Sequence, residues 1–154
     1  MIRLRRAVED DCDLVYQWRN DKLIRKNSLS DAAIPYSKHV EWFLNSLVRK
    51  DRVILLAYEN ELAVGVLRFD FFIEDGDIAE VSIYVSPGLW GQGIGKRMLV
   101  AGEQWLRDNM PVRHVVAKVK PANEASLKMF QSCGFEVDHM FFKKSMAGDE
   151  GQDL

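Results

Sequence analysis

The sequence is poor in cysteine and has no long apolar run, and each absence argues against a class of protein. Its 154 residues include two cysteines, Cys12 and Cys133, which lie far apart in no metal-binding or redox spacing. We therefore expect free thiols in a reducing cytoplasm rather than a disulfide-stabilised fold or a metal site. No apolar stretch is long enough to span a bilayer, and no apolar core of a signal peptide follows the charges of residues 1–6.

The sequence also lacks an excess of either charge, with 21 Lys and Arg against 23 Asp and Glu and a net charge of −2. Nucleic-acid-binding and membrane-surface proteins usually carry a basic excess, so neither nucleic acid nor membrane is an expected partner. The hydrophobic fraction of 47% is ordinary for a soluble globular protein. We expect one domain over residues 1–146, a flexible acidic tail over residues 147–154, and a monomer or a homodimer.

The periodicity of the apolar residues predicts strands alternating with helices. Strands are expected over residues 2–6, 53–58, 62–72, 78–85, 112–119, 135–137 and 140–144, with a turn at residues 75–77. Helices are expected from Glu9, over residues 23–26, after an N-cap at Ser37, from the glycines at 91–95 to about Asp108, and over residues 123–132, where Gly134 ends the helix. This order predicts an α+β domain with a largely antiparallel sheet and one βαβ crossover.

A strand that runs directly into a glycine-rich helix start carries the clearest chemical signal. The sequence Tyr-Val-Ser-Pro-Gly-Leu-Trp-Gly-Gln-Gly-Ile-Gly-Lys occupies residues 84–96. Alternate glycines leave backbone N–H groups uncovered, and the N-terminus of a helix adds about half a positive charge. Lys96 in the first turn adds a full charge. The segment therefore predicts a binding site for a diphosphate.

Two other phosphate-binding motifs fit this segment poorly. A dinucleotide fingerprint needs a third glycine where Lys96 stands, and a Walker loop needs a hydroxyl residue where Arg97 stands. A structural turn with helix-packing glycines is the alternative without a ligand. A coenzyme A loop fits the spacing best.

Two motifs in this order resemble those of the GNAT acetyltransferases. Residues 90–95, Trp-Gly-Gln-Gly-Ile-Gly, resemble motif A, Arg/Gln-x-x-Gly-x-Gly/Ala after a strand. Residues 123–135, Asn-Glu-Ala-Ser-Leu-Lys-Met-Phe-Gln-Ser-Cys-Gly-Phe, resemble motif B, Asn-x-x-Ser/Ala-x-x-Leu/Met-Tyr/Phe-x-x-x-Gly-Phe. The resemblance implies the GNAT fold, a splayed, mostly antiparallel mixed sheet flanked by helices, and acetyl-CoA as the acetyl donor.

The resemblance also implies roles for individual residues. Residues expected to bind coenzyme A are Ile83, Tyr84, Val85, Gly91, Gln92, Gly93, Ile94, Gly95, Lys96, Asn123 and Ser126. Among them, Ile83 and Val85 would pair with the pantetheine arm through backbone groups. Asn123 would hydrogen-bond the same arm, in addition to capping its helix.

Two residues depart from the family pattern. Trp90 stands where an Arg or Gln is usual, which removes one side-chain contact but none of the phosphate-binding amides. Phe130 stands where many relatives have a tyrosine that protonates the departing thiolate, and a phenyl ring has no proton to give. Ser126, a water molecule or no dedicated acid remain as alternatives.

Direct acetyl transfer requires a neutral amine, whereas a free alkyl amine is protonated near pH 7. A carboxylate or histidine is needed to accept the proton, directly or through water. Strand alternation places Glu80 on the face of Ser82 and Tyr84, so Glu80 is the preferred base, with Asp77 second and His39 as the other titratable candidate. The resemblance implies the Val85 N–H as the donor to the oxyanion.

The N-terminal half resembles a narrower group within the GNAT acetyltransferases. Trp-Arg-Asn-Asp at residues 18–21, residues 24–28 and residues 39–43 are similar to the acceptor segment of nucleotide-linked amino-sugar N-acetyltransferases of pseudaminic-acid type. Arg25 would bind a phosphate, and His39 and Trp42 would line the acceptor site, although core packing explains Trp42 equally well. The alternatives are a protein N-terminal acetyltransferase and a non-catalytic acyl-CoA-binding module.

Overall fold

The computed structural model describes residues 1–72 and 77–146. Its strands are β1 Ile2–Arg6, β2 Arg52–Glu59, β3 Leu62–Phe72, β4 Ile78–Val85 and β5 His114–Val116. Its helices are α1 Cys12–Arg19, α2 Lys22–Asn27, α3 Tyr36–Val48, α4 Ile94–Asn109 and α5 Glu124–Ser132, with short 3₁₀ turns at Glu9–Asp11 and Pro87–Leu89.

One mixed sheet organises the described part of the chain, with its five strands in the order β1-β2-β3-β4-β5. Strands β1 to β4 are joined antiparallel to their neighbours, whereas β5 runs parallel to β4. Helix α4 makes the crossover between these two parallel strands, as a βαβ unit requires. The predicted α+β class and mostly antiparallel mixed sheet are confirmed.

Helices cover both faces of the sheet, so its central strands are buried on both sides. On one face, Leu67 and Phe69 pack against Met98 and Leu99 of α4. On the other face, Val66 packs with Phe43 in the layer formed by α1, α2 and α3. Neighbouring residues of β3 therefore serve different cores, because side chains alternate across a strand.

The last two predicted strands, residues 135–137 and 140–144, are wrong, since the backbone there joins no sheet. Phe141 is 86% exposed and Phe142 82% exposed. Three apolar residues in succession, 140–142, specify no buried face, whereas a strand that packs on a core alternates apolar and polar residues. Hydrophobic burial therefore does not fix this segment beside β5.

The predicted N-cap at Ser37 is also wrong, because α3 begins at Tyr36 and its N-cap is Pro35, two residues earlier. The Pro35 carbonyl accepts the His39 N–H at 3.1 Å and so closes the first turn. The Tyr36 hydroxyl donates to the Asp13 carboxylate at 2.7 Å, which fixes this end of α3 to α1.

The sequence also led to expectations about a turn before β4, the end of the chain, membrane spans and metal sites. The predicted turn at residues 75–77, except Asp77, and the predicted tail at residues 147–154 lie outside the described residues. No described helix combines the length and apolar character needed to cross a bilayer. Within residues 1–72 and 77–146, no cluster of His, Cys, Asp and Glu has the geometry of a metal site.

Gly65 provides a test of how closely β3, β4 and α4 pack. A Cβ atom at Gly65 would lie 2.6 Å from the Tyr84 carbonyl oxygen and 2.7 Å from the Met98 thioether. We expect Gly65→Ala to lower the free energy of unfolding by about 1–3 kcal/mol, because overpacking forces strand or side-chain shifts. Urea denaturation measures this change. The control is Gly88→Ala, whose Cβ would meet nothing within 4 Å, and equal stabilities of the two variants would contradict the packing.

Candidate active site

The parallel strands β4 and β5 stay paired for only three residues each. Residues 78–80 pair with His114–Val116, and the ladder ends there. The predicted β5 over residues 112–119 is therefore too long. Ala117 and Val119 still pack against the α4-side core, but they are no longer paired with β4. The separation of the two strands opens a gap in the sheet.

Beyond this point, β4 presents backbone hydrogen-bonding groups to the gap. The Ser86 N–H donates to the Val64 carbonyl at 2.8 Å, so the backbone of Ser86 faces β3. Because this orientation alternates along a strand, the N–H and C=O groups of Ile83 and Val85 face the gap. An extended ligand lying in the gap would therefore meet the edge of β4 as a neighbouring strand would.

A glycine cradle, residues 91–95, lies at one end of the gap. Gly91 and Gly93 have φ angles of +82° and +73°, a backbone conformation that residues with a side chain rarely adopt. A Cβ at either position would meet nothing within 4 Å, so open space lies in front of these residues. Gly93 is also the N-cap of α4, where uncapped N–H groups and the helix dipole favour an anion.

The gap and the cradle form one cavity of about 500 Å³. Its walls come from α2, β4, the glycine cradle, the first turn of α4, and α5. The lining residues are Ile24, Asn27, Ser28, Ile83, Tyr84, Val85, Leu89, Trp90, Gly91, Gly93, Ile94, Gly95, Lys96, Asn123, Ala125, Ser126, Lys128, Met129 and Ser132. The size suits a small-molecule ligand.

Asn123 occupies the wall opposite β4 and starts α5. Its side-chain oxygen accepts the Ser126 N–H at 3.2 Å, which is an N-cap contact. Asn123 and Ser126 both line the cavity. The cap fixes the side-chain oxygen of Asn123, so the side-chain NH₂ group remains available to a ligand.

Trp90 lies across the mouth of the gap. Its indole N–H donates to the Val85 carbonyl at 2.9 Å, and the residue is 41% exposed. The same carbonyl faces the gap, so a ligand that pairs with Val85 must share or displace this contact.

Glu80 lies at the closed end of the gap, where the ladder between β4 and β5 ends, whereas Asp77 lies on the far side of that ladder, just before β4. The Glu80 carboxylate is 16% exposed and forms an ion pair with Lys118 at 3.2 Å. Glu80 shares its face of β4 with Ser82 and Tyr84 but is not in the cavity wall. Asp77 has a φ angle of +65°, and its carbonyl accepts the Arg113 N–H at 2.8 Å. Of the two, Glu80 is the closer along the strand to the lining residue Tyr84.

Residues 13–135 match the profile of the family described as the Acetyltransferase (GNAT) family. The chain belongs to this family. An uncharacterized protein of Methanocaldococcus jannaschii is 27% identical over 98% of this chain, which spans 30% of that protein's length. The L-amino acid N-acyltransferase MnaT of Escherichia coli K12 is 29% identical over 87% of this chain and 79% of its own length.

Solved structures show the same fold. A domain from Methanocaldococcus jannaschii has a TM-score of 0.74 at 26% identity, with 88% of each chain covered. A spermidine N-acetyltransferase from Vibrio cholerae, solved with CoA and spermine, has a TM-score of 0.83 at 13% identity, with 96% of this chain and 88% of that one covered. The aminoglycoside acetyltransferase AAC(6')-Ib, solved with coenzyme A, has a TM-score of 0.77 at 18% identity, with 88% and 84% covered.

The GNAT motifs located the cavity well. Every residue expected to bind coenzyme A lies in the cavity wall except Gln92. The wall also contains residues outside that predicted set, which are Ile24, Asn27 and Ser28 in and just after α2, Leu89 and Trp90 before the cradle, and Ala125, Lys128, Met129 and Ser132 of α5. Counted from Ala125, the four α5 residues have the spacing i, i+3, i+4 and i+7 of one helical face, so the period of the helix was a signal for them. The α2 segment was marked only by the resemblance of residues 24–28 to an acceptor segment, which singled out Arg25 and not the residues that line the wall.

The three predicted acceptor residues, Arg25, His39 and Trp42, are absent from the cavity wall. His39 is completely buried, and its Nδ1 accepts from Arg19 at 3.3 Å. Because arginine can only donate, the ring proton is on Nε2, which donates to the Cys12 carbonyl at 3.0 Å. Burial lowers the pKa of His39. The expectation that His39 binds substrate or acts as the base is therefore wrong, since a neutral, fully bonded core residue cannot reach a substrate.

Phe130 is buried in the core on the α4 side, where its ring packs edge to face on Phe135 at 5.0 Å. It is not in the cavity wall, whereas its neighbour Met129 is. At this position of α5, the protein has an apolar packing contact instead of a proton donor. Ser126 keeps its place in the wall as a hydroxyl that can donate.

His39 makes stability depend on pH. Its pKa is near 6.5 in the unfolded chain and lower in the folded protein, so below about pH 6.5 the unfolded chain binds more protons. The free energy of unfolding should therefore fall as the pH drops from about 6.5 toward the folded pKa. When the pH is lowered from about 7.5 to 5.5, we expect the Tm of His39→Gln to fall by less than the Tm of the wild type. His114 and His139 are present in both proteins, so an equal loss would contradict this role of His39.

Proposed function

We propose that this GNAT protein transfers an acetyl group from acetyl-CoA directly to the primary amine of a small acceptor. The observation that carries the proposal is the continuity of the gap between β4 and β5 with the glycine cradle. An extended arm with a diphosphate at one end matches that arrangement. Backbone groups of Ile83 and Val85 would bind the arm, and amides of the cradle would bind the diphosphate.

Lys96 and the open space at Gly91 and Gly93 make the cradle fit this ligand. Lys96 lines the cavity directly after the cradle, in the first turn of α4, and adds positive charge where the diphosphate would lie. The absence of Cβ atoms at Gly91 and Gly93 lets phosphate oxygens approach the amides. In this arrangement the thioester end of the donor would lie along β4, toward Tyr84.

The reaction then needs a proton acceptor and an oxyanion donor. The amine nitrogen attacks the thioester carbonyl, a C–N bond forms, the C–S bond breaks and the amine loses a proton. The Val85 N–H faces the gap and is the proposed donor to the oxyanion. We assign proton acceptance to Glu80 through bridging water, because Glu80 is outside the cavity wall. The thiolate takes its proton from Ser126 or from solvent.

Two kinds of small amine are candidate acceptors. A nucleotide-linked amino sugar is one candidate, supported by the resemblance of residues 18–43 and by Arg25, whose Nε is buried without a partner. Other small amines are supported by relatives and neighbours named for L-amino acids, aminoglycosides and spermidine. A screen of acetyl-CoA turnover with these classes and with N-terminal peptides separates them. Peptide turnover alone would instead indicate a protein acetyltransferase.

Gly93 tests the binding of the donor. We expect CoA to raise the Tm of the wild type, because a ligand that binds only the folded state stabilises it. Gly93→Val should lose this increase, since the new side chain would fill the space before the amides. Differential scanning fluorimetry with and without CoA measures both effects.

A matched control for Gly93→Val is Gly134→Val. Gly134 has a φ angle of +90° and open space around its Cβ position, but it lies outside the cavity. Both substitutions strain the backbone to a similar degree, so both should lower the Tm without ligand. Only Gly134→Val should keep the increase caused by CoA. Retention of that increase in Gly93→Val would remove the cradle from the site.

Glu80→Gln tests the proton acceptor. We expect kcat/KM to fall by about 10²–10⁴-fold near pH 7, and by less at higher pH, where more of the amine is already neutral. Glu61→Gln, in the exposed turn between β2 and β3, should leave the kinetics unchanged. Full activity of Glu80→Gln at neutral pH would transfer the role to Asp77 or to water alone. Binding of CoA without turnover of any amine would indicate a non-catalytic acyl-CoA module.

A further inference from the structure

Three arginine side chains surround Trp42 on the sheet face covered by α1 to α3. The guanidinium carbons of Arg19, Arg52 and Arg68 lie 4.1, 5.5 and 5.6 Å from the centre of the indole ring. They come from α1, β2 and β3, so the fold assembles this arginine cluster from distant parts of the sequence. Their exposure is limited, with the side chains of Arg52 and Arg68 at 14% and 27%.

The charge of the arginine cluster is only partly compensated. Asp70 accepts from Arg52 at 2.5 Å and from Arg68 at 3.1 Å. Among the described residues, no carboxylate forms an ion pair with Arg19, whose contacts are the Trp42 ring and His39 Nδ1. Glu80, on the neighbouring strand, is paired with Lys118. Three positive charges therefore face one bound carboxylate, an arrangement that costs free energy when water is excluded.

Arg19 has hydrogen-bonding capacity left for a ligand. Its guanidinium carries five N–H donors, and one of them is directed at His39. None of its nitrogens is a buried atom without a partner, so in the described structure the remaining donors reach solvent. The guanidinium carbon lies over the Trp42 ring, and a guanidinium with free N–H groups can form two parallel hydrogen bonds to an anionic group.

Tyr84 connects the arginine cluster to the cavity. Arg68 donates to the Ser82 hydroxyl at 3.1 Å, and Tyr84 is the next residue on the same face of β4. Tyr84 lines the cavity, and the positive charges of Arg19 and Arg68 both act on its hydroxyl. Burial is the larger influence and raises the pKa of Tyr84 to about 12, so the hydroxyl stays neutral. Arg19 and Arg68 do not line the cavity themselves, so the cluster adjoins it through Tyr84, beside the part of the cavity where the acetyl group would lie.

We propose that the acceptor amine carries an anionic oxygen group, a carboxylate or a phosphate, and that Arg19 with Arg68 binds that group. This inference rests on the proposed acetyltransferase function and narrows its substrate class. Anchoring the anion at the cluster would hold the amine beside Tyr84, in reach of the thioester. His39 acts here as a positioning residue, because its unprotonated Nδ1 orients Arg19.

The test compares acceptors with and without an anionic group. Each L-amino acid is assayed beside its carboxamide, and a nucleotide-linked 4-amino sugar beside the free amino sugar, with acetyl-CoA and CoA release as the readout. We expect the wild type to prefer the anionic member of at least one pair by tenfold or more. A preference for the amino acids would indicate a carboxylate, and a preference for the nucleotide sugar would indicate a phosphate.

Arg19→Gln identifies the residue responsible. It should raise KM for the preferred anionic acceptor by about 10- to 100-fold, as expected for loss of charged hydrogen bonds, with KM for acetyl-CoA nearly unchanged. The preference over the neutral partner should fall to the same degree. The Tm without ligand should be retained or raised, because an uncompensated charge is removed. Arg6→Gln, which also removes a guanidinium stacked on a tryptophan, Trp105 at 5.2 Å, is the matched control.

The outcomes distinguish failure of the anion site alone from failure of the proposed function. Turnover with no preference for the anionic acceptor, or a preference that Arg19→Gln retains, would overturn the anion site while the acetyltransferase stands. Equal effects of Arg19→Gln and Arg6→Gln would also overturn it. Failure of every amine to react would contradict the proposed function and the anion site together.

Discussion

The separation of β4 from β5 after a three-residue ladder is the constraint on which the site depends. Up to Glu80 the two strands satisfy each other's backbone groups. Beyond it, Ile83 and Val85 present theirs to a gap, which is tolerable only where water or a ligand can supply partners. Core packing keeps the gap open: Met129 of α5 and Val85 both contact the position of Gly95, so α4, α5 and β4 are fixed relative to one another.

The two faces of the sheet contribute different parts of the site. The α4 face is apolar up to the glycine cradle, so it supplies a rigid support for the end of the cavity that favours an anion. The α1–α3 face combines an apolar layer with the arginine cluster around Trp42. Tyr84 lies where these regions meet, since its side chain packs with the α1–α3 layer while the residue lines the cavity. Donor and acceptor would thus reach the same short stretch of β4.

The features that depend on residues close together in the sequence were the ones that the sequence predicted. The bounds of β1, β3 and β4, the cap at Asn123 and the glycine cradle all depend on neighbouring residues, and the structure has them as expected. The arginine cluster and the α2 wall depend on contacts between distant segments, which periodicity does not encode. His39 resembled a catalytic residue in sequence because its type suits a base, yet burial and two hydrogen bonds make it structural. The end of β5 was missed because the strands diverge while their sequence remains apolar.

Hydrogen–deuterium exchange with and without CoA tests the central claim, that the gap between β4 and β5 receives the donor. The account predicts slower exchange on CoA binding for the amides of Ile83, Val85 and residues 91–96, and for the start of α5. The amides of β1 and β2, which lie two or more strands away from the gap, should exchange at unchanged rates. Protection confined to other elements, or binding of CoA with no protection of β4 and the cradle, would contradict the account.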